Sequence, residues 1–500
     1  TDARRLPTDT QLRGDVCIIG GGAAGITLAR SLRARRLSTI VLESGGLDRD
    51  PVVQALAHGT TESSSLPSRY LSTSRLRYFG GSTNHWNGMC RPLDPIDFES
   101  RAWVPYSGWP IRRRDLDRYY HAAAPLLQFE AYDASWGEVT SAADSGSLIA
   151  ESAPFRGRTF RMSPPTRFGR VYRDELAAAP NVDVVLHASA LRLDLNEAGV
   201  RVTRVQAATL AGNRLTVEAG IVVLAAGGIE NARLLLVSDT VQRDGIGNGT
   251  DWVGRGFMEH PELGGLTVAV TDHAIFGDLF RQRHTMLCLS EQTQRQHEIL
   301  SVNVQFTPDG APEPSQSGGI VDLSPIFKAL DRRAATVVDP LPDYLSCYIR
   351  AESAPRRENR ITLDAHDTDA LGVRRAHLRF TMGELETRTI TRTVDLLARE
   401  FGGRAAGRIR FAHPDAALSV PFGEPPWRNL QHGSHHMGTP RMSESPLEGV
   451  VDPRGQGHGV SNLFVAGSSV FPTCGMANPT YTIVALALRL SDHVGEASER

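Results

Sequence analysis

Residues 15–25 of this 500-residue chain are Asp15-Val-Cys-Ile-Ile-Gly-Gly-Gly-Ala-Ala-Gly25, and they predict how its first domain folds. The first five of these residues form a short apolar run typical of a buried parallel strand, and the glycines that follow mark a tight turn. The apolar spacing continues through Leu28 and Leu32, which predicts a helix directly after the turn. Strand, glycine-rich turn and helix in this order form the first unit of a dinucleotide-binding α/β domain.

The spacing of the glycines matches what a bound dinucleotide requires. Gly20 permits the tight turn, Gly22 lets a pyrophosphate approach the backbone closely, and Gly25 lets the helix pack on the strand. The N–H groups and the positive dipole end at the start of the helix attract phosphates. A second apolar run, residues 39–42, ends in Glu43, which can accept hydrogen bonds from ribose hydroxyls and would repel a 2′-phosphate. The motif therefore indicates NAD or FAD, and the alternative is a glycine-rich turn that binds no nucleotide.

The composition excludes several classes of protein. The chain has 54 basic and 56 acidic side chains and a net charge of −2, which gives no overall field for a polyanion, so we expect no nucleic-acid partner. Its most apolar stretches, such as residues 221–226 and 482–490, are shorter than the roughly 20 residues of a membrane helix, so we expect no membrane span. The N-terminus has no apolar leader, which favours a cytoplasmic protein, although a cleaved leader for export would leave no trace.

The five cysteines are widely separated and include no C-x-x-C pair. The chain therefore offers neither a zinc knuckle nor a dithiol redox motif, and we predict no metal site. An odd number of cysteines favours buried or free thiols.

Two later segments repeat the pattern of an apolar strand that ends in small residues before a helix. Residues 221–228 end in Ala225-Ala226-Gly227-Gly228 and lead into the helical pattern of residues 229–237. Residues 462–467 precede a helix predicted from about residue 479 to 494. Because such strands end beside the dinucleotide in α/β folds, the nucleotide domain is predicted to be assembled from three separated pieces of the chain.

Other segments predict antiparallel structure. Residues 182–193 and 200–210 alternate like antiparallel strands. Residues 359–363 and 376–380 predict a second pair of strands, and residues 385–401 predict an amphipathic helix. A polar stretch rich in Pro and Gly, residues 307–319, predicts a mobile loop. The region that follows residue 265 is therefore expected to form a second, mostly antiparallel domain.

Motifs spread over most of the chain resemble those of the glucose–methanol–choline (GMC) family of FAD-dependent oxidoreductases. The matching stretches are Gly20 to Gly25, Gly80-Gly81-Ser82, Trp86-Asn87-Gly88, Gly108-Trp109-Pro110-Ile111, Ala225-Ala226-Gly227-Gly228, Val253-Gly254-Arg255, His260-Pro261, residues 359–363 and residues 435–490. Each motif is common by itself, but their shared order is specific. The chain is most similar to the bacterial pyranose-oxidase-like, sugar-oxidising branch of the family.

The resemblance implies a mixed α/β (α+β) fold. A Rossmann-like FAD-binding domain would be assembled from discontinuous segments, beside a substrate-binding domain built on a mostly antiparallel sheet with helices. Residues 1–100, 160–265 and 430–500 are assigned to the FAD-binding domain, and residues 101–159 and 266–429 to the substrate-binding domain. FAD is the implied cofactor.

The resemblance places the catalytic pair on His435 and Asn478. The block His435-His436-Met437-Gly438-Thr439-Pro440-Arg441-Met442 resembles the stretch in which the family carries its catalytic histidine, three positions before the Gly-Thr pair. The second active-site position of the family, a His or an Asn, falls on Asn478. The pyranose-oxidase-like branch usually carries its catalytic histidine next to the Arg-Met pair, where this chain departs with Pro440.

These residue types suit the oxidation of an alcohol. The reaction removes a hydroxyl proton while hydride leaves the adjacent carbon, and an imidazole with a pKa near neutrality can take that proton. Asn478 can hold the substrate oxygen without titrating. The alternatives are a packing role for His435 and an N-cap role for Asn478, because Asn478-Pro479-Thr480 also has the pattern of a helix start. The dipole of that helix could face the anionic edge of a reduced flavin.

The implied cofactor contacts come from the glycine motif, the ends of the predicted strands and the start of the last helix. They are Gly20, Gly22, Ala23, Ala24, Gly25, Glu43, Ser44, Gly81, Ser82, His85, Trp86, Asn87, Gly88, Ala190, Ala226, Gly227, Gly467, Pro479 and Thr480. The candidate contacts to the substrate are His436, Trp427 and Tyr481.

One histidine suggests how the flavin is held. The segment Phe79-Gly-Gly-Ser-Thr-Asn-His85-Trp86 resembles the one in which pyranose oxidases attach the flavin covalently through a histidine immediately before Trp. The resemblance implies a covalent link through His85 as the alternative to FAD bound without a covalent bond.

The sequence thus predicts FAD-dependent oxidation of an alcohol to a carbonyl. Asn478 and the Asn-His-Trp segment favour a secondary ring hydroxyl of a sugar or glycoside, and an aryl or natural-product alcohol is the alternative substrate. A hydroxynitrile-type lyase that keeps FAD without redox use is the alternative reaction, and a flavin-binding scaffold without catalysis is a third. The sequence leaves open whether oxygen or another acceptor takes the electrons, and whether the chain forms a homo-oligomer.

Overall fold

The computed structural model describes residues 1–130, 138–139, 153–273, 285–308, 343–411 and 431–499. Most of the predicted loop at residues 307–319 lies outside the described residues, and so does the candidate substrate contact Trp427.

The strands are numbered in chain order. They are β1 (Thr10–Ile19), β2 (Thr39–Leu42), β3 (Gly59–Glu62), β4 (Met89–Cys90), β5 (Glu138–Val139), β6 (Phe155–Thr159), β7 (Arg161–Met162), β8 (Val182–Val185), β9 (Ser189–Leu195), β10 (Val202–Ala208), β11 (Arg214–Leu224), β12 (Pro261–Val270), β13 (Thr285–Leu289), β14 (Val302–Pro308), β15 (Tyr344–Ala351), β16 (Arg360–Thr368), β17 (Arg374–Arg379), β18 (Gly407–Phe411), β19 (Gln431–His432) and β20 (Leu463–Val465).

The α-helices of the described residues are numbered in the same way. They are α1 (Ala23–Ala34), α2 (Pro51–Gln54), α3 (Tyr70–Thr73), α4 (Asp117–Ala123), α5 (Phe168–Val171), α6 (Arg173–Ala177), α7 (Gly227–Val237), α8 (Glu291–His297), α9 (Glu384–Gly403) and α10 (Thr480–Ser498). A short 3-10 helix at Gly81–Asn84 follows the second glycine motif.

A seven-stranded sheet carries the predicted nucleotide-binding unit. Its strand order is β8-β2-β1-β11-β10-β9, and β20 pairs with the carboxyl end of β11. The strands β8, β2, β1, β11 and β20 run parallel, whereas β9, β10 and β11 form antiparallel pairs. Residues 16–19 of β1 are buried, as the apolar run predicts. The unit β1-α1-β2 therefore confirms the α/β fold class and its Rossmann-like opening.

One part of the sequence prediction for this sheet needs correction. Residues 182–193 were expected to alternate as antiparallel structure, but Val182–Val185 is a parallel strand beside β2. Only Ser189–Leu195 pairs antiparallel, with Val202–Ala208. Residues 186–188 separate the two strands, and the amide of Ala188 donates to the carbonyl of Glu43 at the end of β2.

The second sheet has eight strands and is antiparallel throughout. Its order is β18-β12-β15-β14-β13-β6-β5, with β19 paired to β12. The predicted amphipathic helix is α9, which buries Ile390, Leu397 and Phe401 in one cluster with Leu345 and Ile349 of β15. An antiparallel sheet backed by a helix is the architecture that was expected for the substrate-binding part.

A smaller sheet links distant parts of the chain. The predicted pair β16 and β17 is antiparallel, with Ile361 opposite Leu378. The strand β3 adds to β17 in parallel. Because β3 falls in a segment assigned to one domain and β17 in a segment assigned to the other, the domain boundaries stay a prediction.

Two features of the whole chain relate to the composition. All five cysteines are buried and free. Among the helices that the structure describes, none combines the length and the apolar character needed to cross a bilayer.

Candidate active site

A cavity of about 310 Å³ lies at the carboxyl ends of the parallel strands. Residues that end or follow β1, β2, β11 and β20 line it, including Gly20, Glu43, Ala225 and Gly467. This edge of an open α/β sheet is where such folds bind ligands.

Most of the predicted cofactor contacts line this one cavity. They are Gly20, Gly22, Ala23, Ala24, Glu43, Ser44, Gly81, Ser82, His85, Trp86, Asn87, Ala190, Ala226, Gly227, Gly467, Pro479 and Thr480. Both predicted catalytic residues, His435 and Asn478, line it as well, and so does His436.

Three helices begin at the cavity: α1, α7 and α10. Their N-cap residues are Gly22, Ala226 and Pro479, and none of the three helices has a side-chain cap hydrogen bond. The first amides of each helix and the positive ends of three helix dipoles are therefore presented to one space. Such an arrangement favours an anionic ligand.

Glycines keep the backbone open along the cavity wall. A Cβ added at Gly22, Gly227 or Gly467 would meet no atom within 4 Å. A Cβ at Gly25 would instead lie 1.9 Å from the carbonyl oxygen of Gly20. Gly25 does not line the cavity, so it serves the close packing of α1 on the turn, whereas Gly22 leaves room for a ligand.

The carboxylate of Glu43 ties the glycine turn to the end of β2. Its Oε2 accepts from the amide of Gly21 at 2.9 Å, and its Oε1 accepts from the amide of Gly45 at 2.8 Å. Glu43 is buried, and burial raises the pKa of its carboxyl group. It lines the cavity where the ribose contact was predicted, but it also holds the loop itself in place.

A cluster of charges on the same wall was missed by the sequence reasoning. The guanidiniums of Arg75 and Arg77 pair with Glu230 at 2.8 and 3.0 Å. These two arginines hold the pKa of Glu230 well below its usual range, although its burial acts in the opposite direction. Arg77 also donates from Nε to Ser44 Oγ at 3.1 Å, which links the cluster to a predicted cofactor contact. These Arg and Glu residues belong to no sequence motif, so their spacing in the sequence did not indicate that they form a cluster.

His435 lies on an irregular crossing of two backbone segments. Met258 is bridged to Met437, and Pro261 pairs with His432, so the two residues 259–260 face the four residues 433–436. The longer segment must bulge, and this bulge carries His435 to the cavity. Ser434 takes a left-handed conformation with φ 57°, and a Cβ at Gly433 would lie 2.4 Å from His435 Nδ1.

The carboxylate of Glu259 fills the bulge. It accepts from the amide of His435 at 2.9 Å and from the amide of His260 at 2.7 Å. The hydroxyl of Tyr70 also donates to it. Burial raises the pKa of Glu259 to about 7, against the effect of these donors.

The ring of His435 has one neighbour at each nitrogen. Its Nδ1 lies 2.8 Å from His260 Nδ1, and its Nε2 lies 3.4 Å from Asn478 Nδ2. Burial of the ring, the neighbouring imidazole of His260 and the charge of Arg350 lower the pKa of His435 well below 6.5. The ring is therefore neutral at physiological pH and can accept a proton.

Asn478 is held by a buried ion pair. Its Oδ1 accepts from Arg350 Nη1 at 2.8 Å, and Arg350 Nε donates to Glu262 Oε1 at 2.6 Å. Arg350 and Glu262 are each about 2% exposed in their side chains. The alternative of an N-cap role for Asn478 is wrong, because Pro479 occupies the cap position and α10 has no side-chain cap hydrogen bond.

Three other predicted contacts differ from the expectation. Tyr481 does not line the cavity; it is fully buried, and its hydroxyl donates to the carbonyl of Tyr120 at 2.6 Å. It therefore has a packing role instead of a substrate contact. Gly88 lies behind the cavity, where a Cβ would approach the carbonyl oxygen of Ser163 at 2.5 Å, and Gly25 serves packing as described above.

The residues behind the catalytic pair were not predicted as site residues. His260 belongs to the His260-Pro261 motif, but the sequence did not indicate what this histidine does. Arg350 carried no signal, because it lies in β15, 128 positions before Asn478.

The cavity fits the dinucleotide form of a flavin. Its glycine-lined wall leaves the space that a pyrophosphate needs, and three uncapped helix starts favour its charge. A buried acid at the end of β2 and a histidine–asparagine pair line the same cavity. FAD has both the ribose for the acid and the reactive ring for the pair.

Comparison with known proteins agrees with this geometry. Residues 355–487 match the C-terminal domain of GMC oxidoreductases, and residues 15–243 match the FAD dependent oxidoreductase family. The chain is 28% identical to 6'''-hydroxyparomomycin C oxidase of Streptomyces lividus, over 95% of this chain and 90% of the relative. It is 35% identical to a C-glycoside 3-oxidase of Arthrobacter globiformis over 146 residues, which cover 28% of this chain and 25% of the relative.

A solved structure has a similar fold. The crystal structure of pyridoxine 4-oxidase from Mesorbium loti superposes with a TM-score of 0.55 at 16% identity, covering 96% of this chain and 98% of that chain. The chain therefore combines an FAD dependent oxidoreductase domain with the C-terminal domain of a GMC oxidoreductase.

Proposed function

We propose that this protein oxidises a secondary ring hydroxyl of a sugar or glycoside to a carbonyl, with His435 as the base. The observation that carries the proposal is the placement of His435 Nε2 3.4 Å from Asn478 Nδ2, both on the wall of the flavin cavity. FAD, when bound, accepts the hydride that leaves the carbon of the alcohol. The chain itself has to bind the alcohol, orient its oxygen and take its proton.

The proton transfer is assigned to His435. Its ring is neutral at physiological pH because burial and Arg350 lower its pKa, so it has a lone pair for the hydroxyl proton. A general base of this kind contributes roughly 10²–10⁴-fold in rate. Asn478 is the second contact to the hydroxyl oxygen, because Arg350 occupies its Oδ1 and leaves its Nδ2 as the donor at the cavity.

The substrate class is supported by two lines of reasoning. The relatives named above act, by their names, on an aminoglycoside and on a C-glycoside. An uncharged amide beside the base can hold a hydroxyl of a polyol without selecting for charge. Aryl and natural-product alcohols are the alternative substrates for the same pair.

Anaerobic mixing with candidate alcohols tests both the reaction and the substrate class. A panel of pyranoses, glycosides, aminoglycosides and aryl alcohols is mixed with the FAD-loaded protein in a stopped-flow instrument. We expect a sugar or glycoside to bleach the flavin absorbance, because hydride transfer reduces the ring. A flavin that stays oxidised with every alcohol would contradict the proposal and favour a lyase that keeps FAD without redox use.

Replacement of the base separates catalysis from cofactor binding. His435→Gln should slow the anaerobic bleaching by roughly 10²–10⁴-fold while the FAD content stays at the parental level. The matched control is His121→Gln, because His121 is exposed on α4 and does not line the cavity. Equal rates in both variants would show that His435 is not the base.

A covalent bond between FAD and His85 is the alternative to FAD held without a covalent bond. His85 lines the cavity beside Trp86 and Asn87. Precipitation with acid distinguishes the two: a yellow chromophore that stays on the polypeptide, and that His85→Ala releases into the supernatant, indicates the covalent bond. A chromophore that leaves the parental protein entirely would contradict the covalent link.

A measurement in air identifies the electron acceptor. Peroxide formed in proportion to the oxidised alcohol indicates an oxidase, because oxygen then takes the electrons of the reduced flavin. Turnover that needs an added quinone or dye indicates a dehydrogenase.

A further inference from the structure

We propose that His260 is a positioning residue that fixes the proton of neutral His435 on Nδ1 and so leaves the Nε2 lone pair for the substrate. The proposal rests on the proposed function, in which His435 is the base. His260 lies behind the cavity wall, and neither the sequence motifs nor the proposed reaction assigns it a role.

His260 is a neutral ring whose proton lies on Nε2. Its Nε2 lies 2.8 Å from the carbonyl oxygen of Gly475, which can only accept, so Nε2 carries a proton. The ring is completely buried, and burial together with the charge of Arg350 lowers its pKa to about 4. A neutral imidazole has one protonated nitrogen, so Nδ1 of His260 is an acceptor.

The contact with His260 determines which nitrogen of His435 carries the proton. The two Nδ1 atoms are 2.8 Å apart, and the rings meet edge to face at 85°. Because His260 Nδ1 accepts, His435 Nδ1 must donate. Neutral His435 therefore has its lone pair on Nε2.

The contacts of Asn478, on the other side of the His435 ring, lead to the same assignment. The guanidinium of Arg350 can only donate, so the atom of Asn478 at 2.8 Å from it is the carbonyl oxygen. This orientation turns Nδ2 of Asn478 toward Nε2 of His435 at 3.4 Å. An amide N–H faces a lone pair, and the two independent anchors, a backbone carbonyl and a guanidinium, agree on one arrangement of protons.

Charged groups around His260 keep the arrangement in place. Arg350 opposes its protonation, whereas Glu262 and Glu352 favour it, and burial outweighs both carboxylates. Glu259 accepts from the backbone amide of His260, so it fixes the main chain and not the ring. His435 is the titratable ring in direct contact.

The arrangement has a consequence for the reaction. When His435 takes the hydroxyl proton on Nε2, its Nδ1–H continues to donate to His260, and only the 3.4 Å contact from Asn478 Nδ2 to Nε2 is given up. A proton passed on to His260 Nδ1 would make a buried imidazolium there, which burial and the charge of Arg350 oppose, so the proton leaves His435 through the cavity.

Two amide substitutions at position 260 separate the two hydrogen bonds. His260→Asn places a carbonyl oxygen near the position of Nδ1 and keeps an acceptor for His435. His260→Gln reaches to the position of Nε2 and keeps only the bond to Gly475. We expect His260→Asn to retain most of the parental rate of flavin reduction, and His260→Gln to lose about 10²-fold, the scale of a misplaced general base.

The pH profile distinguishes positioning from a loss of packing. In His260→Gln the neutral His435 can carry its proton on either nitrogen, so the acidic limb of the pH–rate profile should shift. The FAD content and the thermal unfolding of this variant should match those of His260→Asn. Equal rates and equal profiles in the two variants, at equal FAD content, would overturn the proposal.

A spectroscopic measurement needs no turnover. Nitrogen NMR of the parental protein with ¹⁵N-labelled histidine should show His435 with a protonated Nδ1 and an unprotonated Nε2. The His435 signals are assigned by their disappearance in His435→Gln. The opposite pattern would overturn the proposal even if the variants at 260 failed to fold. If no alcohol reduces the flavin but the tautomer is as expected, the proposed reaction fails and the positioning role of His260 stands.

Discussion

The active site depends on which atoms are hydrogen-bond donors and which are acceptors. Asn478 illustrates this, because its two amide atoms have different partners: Arg350 holds Oδ1 at 2.8 Å and His435 faces Nδ2 at 3.4 Å. Substitutions that alter one atom at a time therefore have separable effects.

Two substitutions at position 478 test this separation. Asn478→Asp keeps an acceptor for Arg350 but removes the donor, so kcat should fall by about 10²–10³-fold with the stability retained. Asn478→Ala leaves Arg350 Nη1 without that acceptor, so it should also lower the free energy of unfolding by about 1–3 kcal/mol. Flavin-reduction kinetics and urea unfolding of both variants measure the two effects. Identical stability of the Asp and Ala variants would show that Arg350 does not need this bond.

The turn between β1 and α1 contains glycines with different structural roles. A Cβ on Gly22 would enter open space on the cavity wall, whereas a Cβ on Gly25 would lie 1.9 Å from the carbonyl oxygen of Gly20. Both positions are glycine in the motif, but Gly22 leaves space for a ligand, whereas Gly25 allows α1 to pack closely on the turn.

Alanine substitutions at the two positions should therefore differ. Gly22→Ala should weaken FAD binding by about tenfold or more, because its methyl group occupies the space open to a ligand, while the apoprotein unfolds nearly as before. Gly25→Ala should destabilise the apoprotein itself by about 1–3 kcal/mol, because backbone must move. Fluorescence titration with FAD and urea unfolding of the apoproteins provide the measurements. Equal loss of stability in the two variants would contradict the distinction.

Buried titratable groups make the free energy of unfolding depend on pH. The pKa of His260 is lowered to about 4 in the folded protein from an ordinary value of 6.5. Between these values the unfolded chain binds more protons, so the contribution of His260 is complete above pH 6.5 and is lost as the pH falls toward 4. A shift of this size corresponds to about 3 kcal/mol.

Glu259 acts in the opposite direction over nearly the same range. Its pKa is raised to about 7 in the folded protein, so its contribution is complete below its ordinary value of 4.5 and is lost as the pH rises through 7. A comparison with His260→Asn isolates the histidine, because the parental protein should lose stability relative to the variant by about 3 kcal/mol between pH 7 and pH 4. Urea unfolding at the two pH values measures the difference. Parallel losses in both proteins would show that His260 is not protonated on unfolding.

The sequence predicted the parts of this molecule that depend on local spacing. The glycine turn, the acid at the end of β2, the antiparallel pair β16–β17 and helix α9 follow from patterns within about 25 residues of each other. The family resemblance predicted that His435 and Asn478 would meet. The packing of Tyr481 and the roles of His260 and Arg350 depend on contacts across 128 to 361 positions, which no local pattern contains.

The pairing of β20 with β11 has a consequence for how the protein is made. The strand β11 ends at residue 224, but its neighbour at the carboxyl end is Leu463–Val465, and the cavity also needs residues 435 and 478–483. On the ribosome, the nucleotide-binding turn is therefore synthesised more than 400 residues before the walls that complete its pocket. Flavin capture is thus a late event in biogenesis, and a nascent chain that stalls before residue 463 carries an open slot in its main sheet where another strand can intrude.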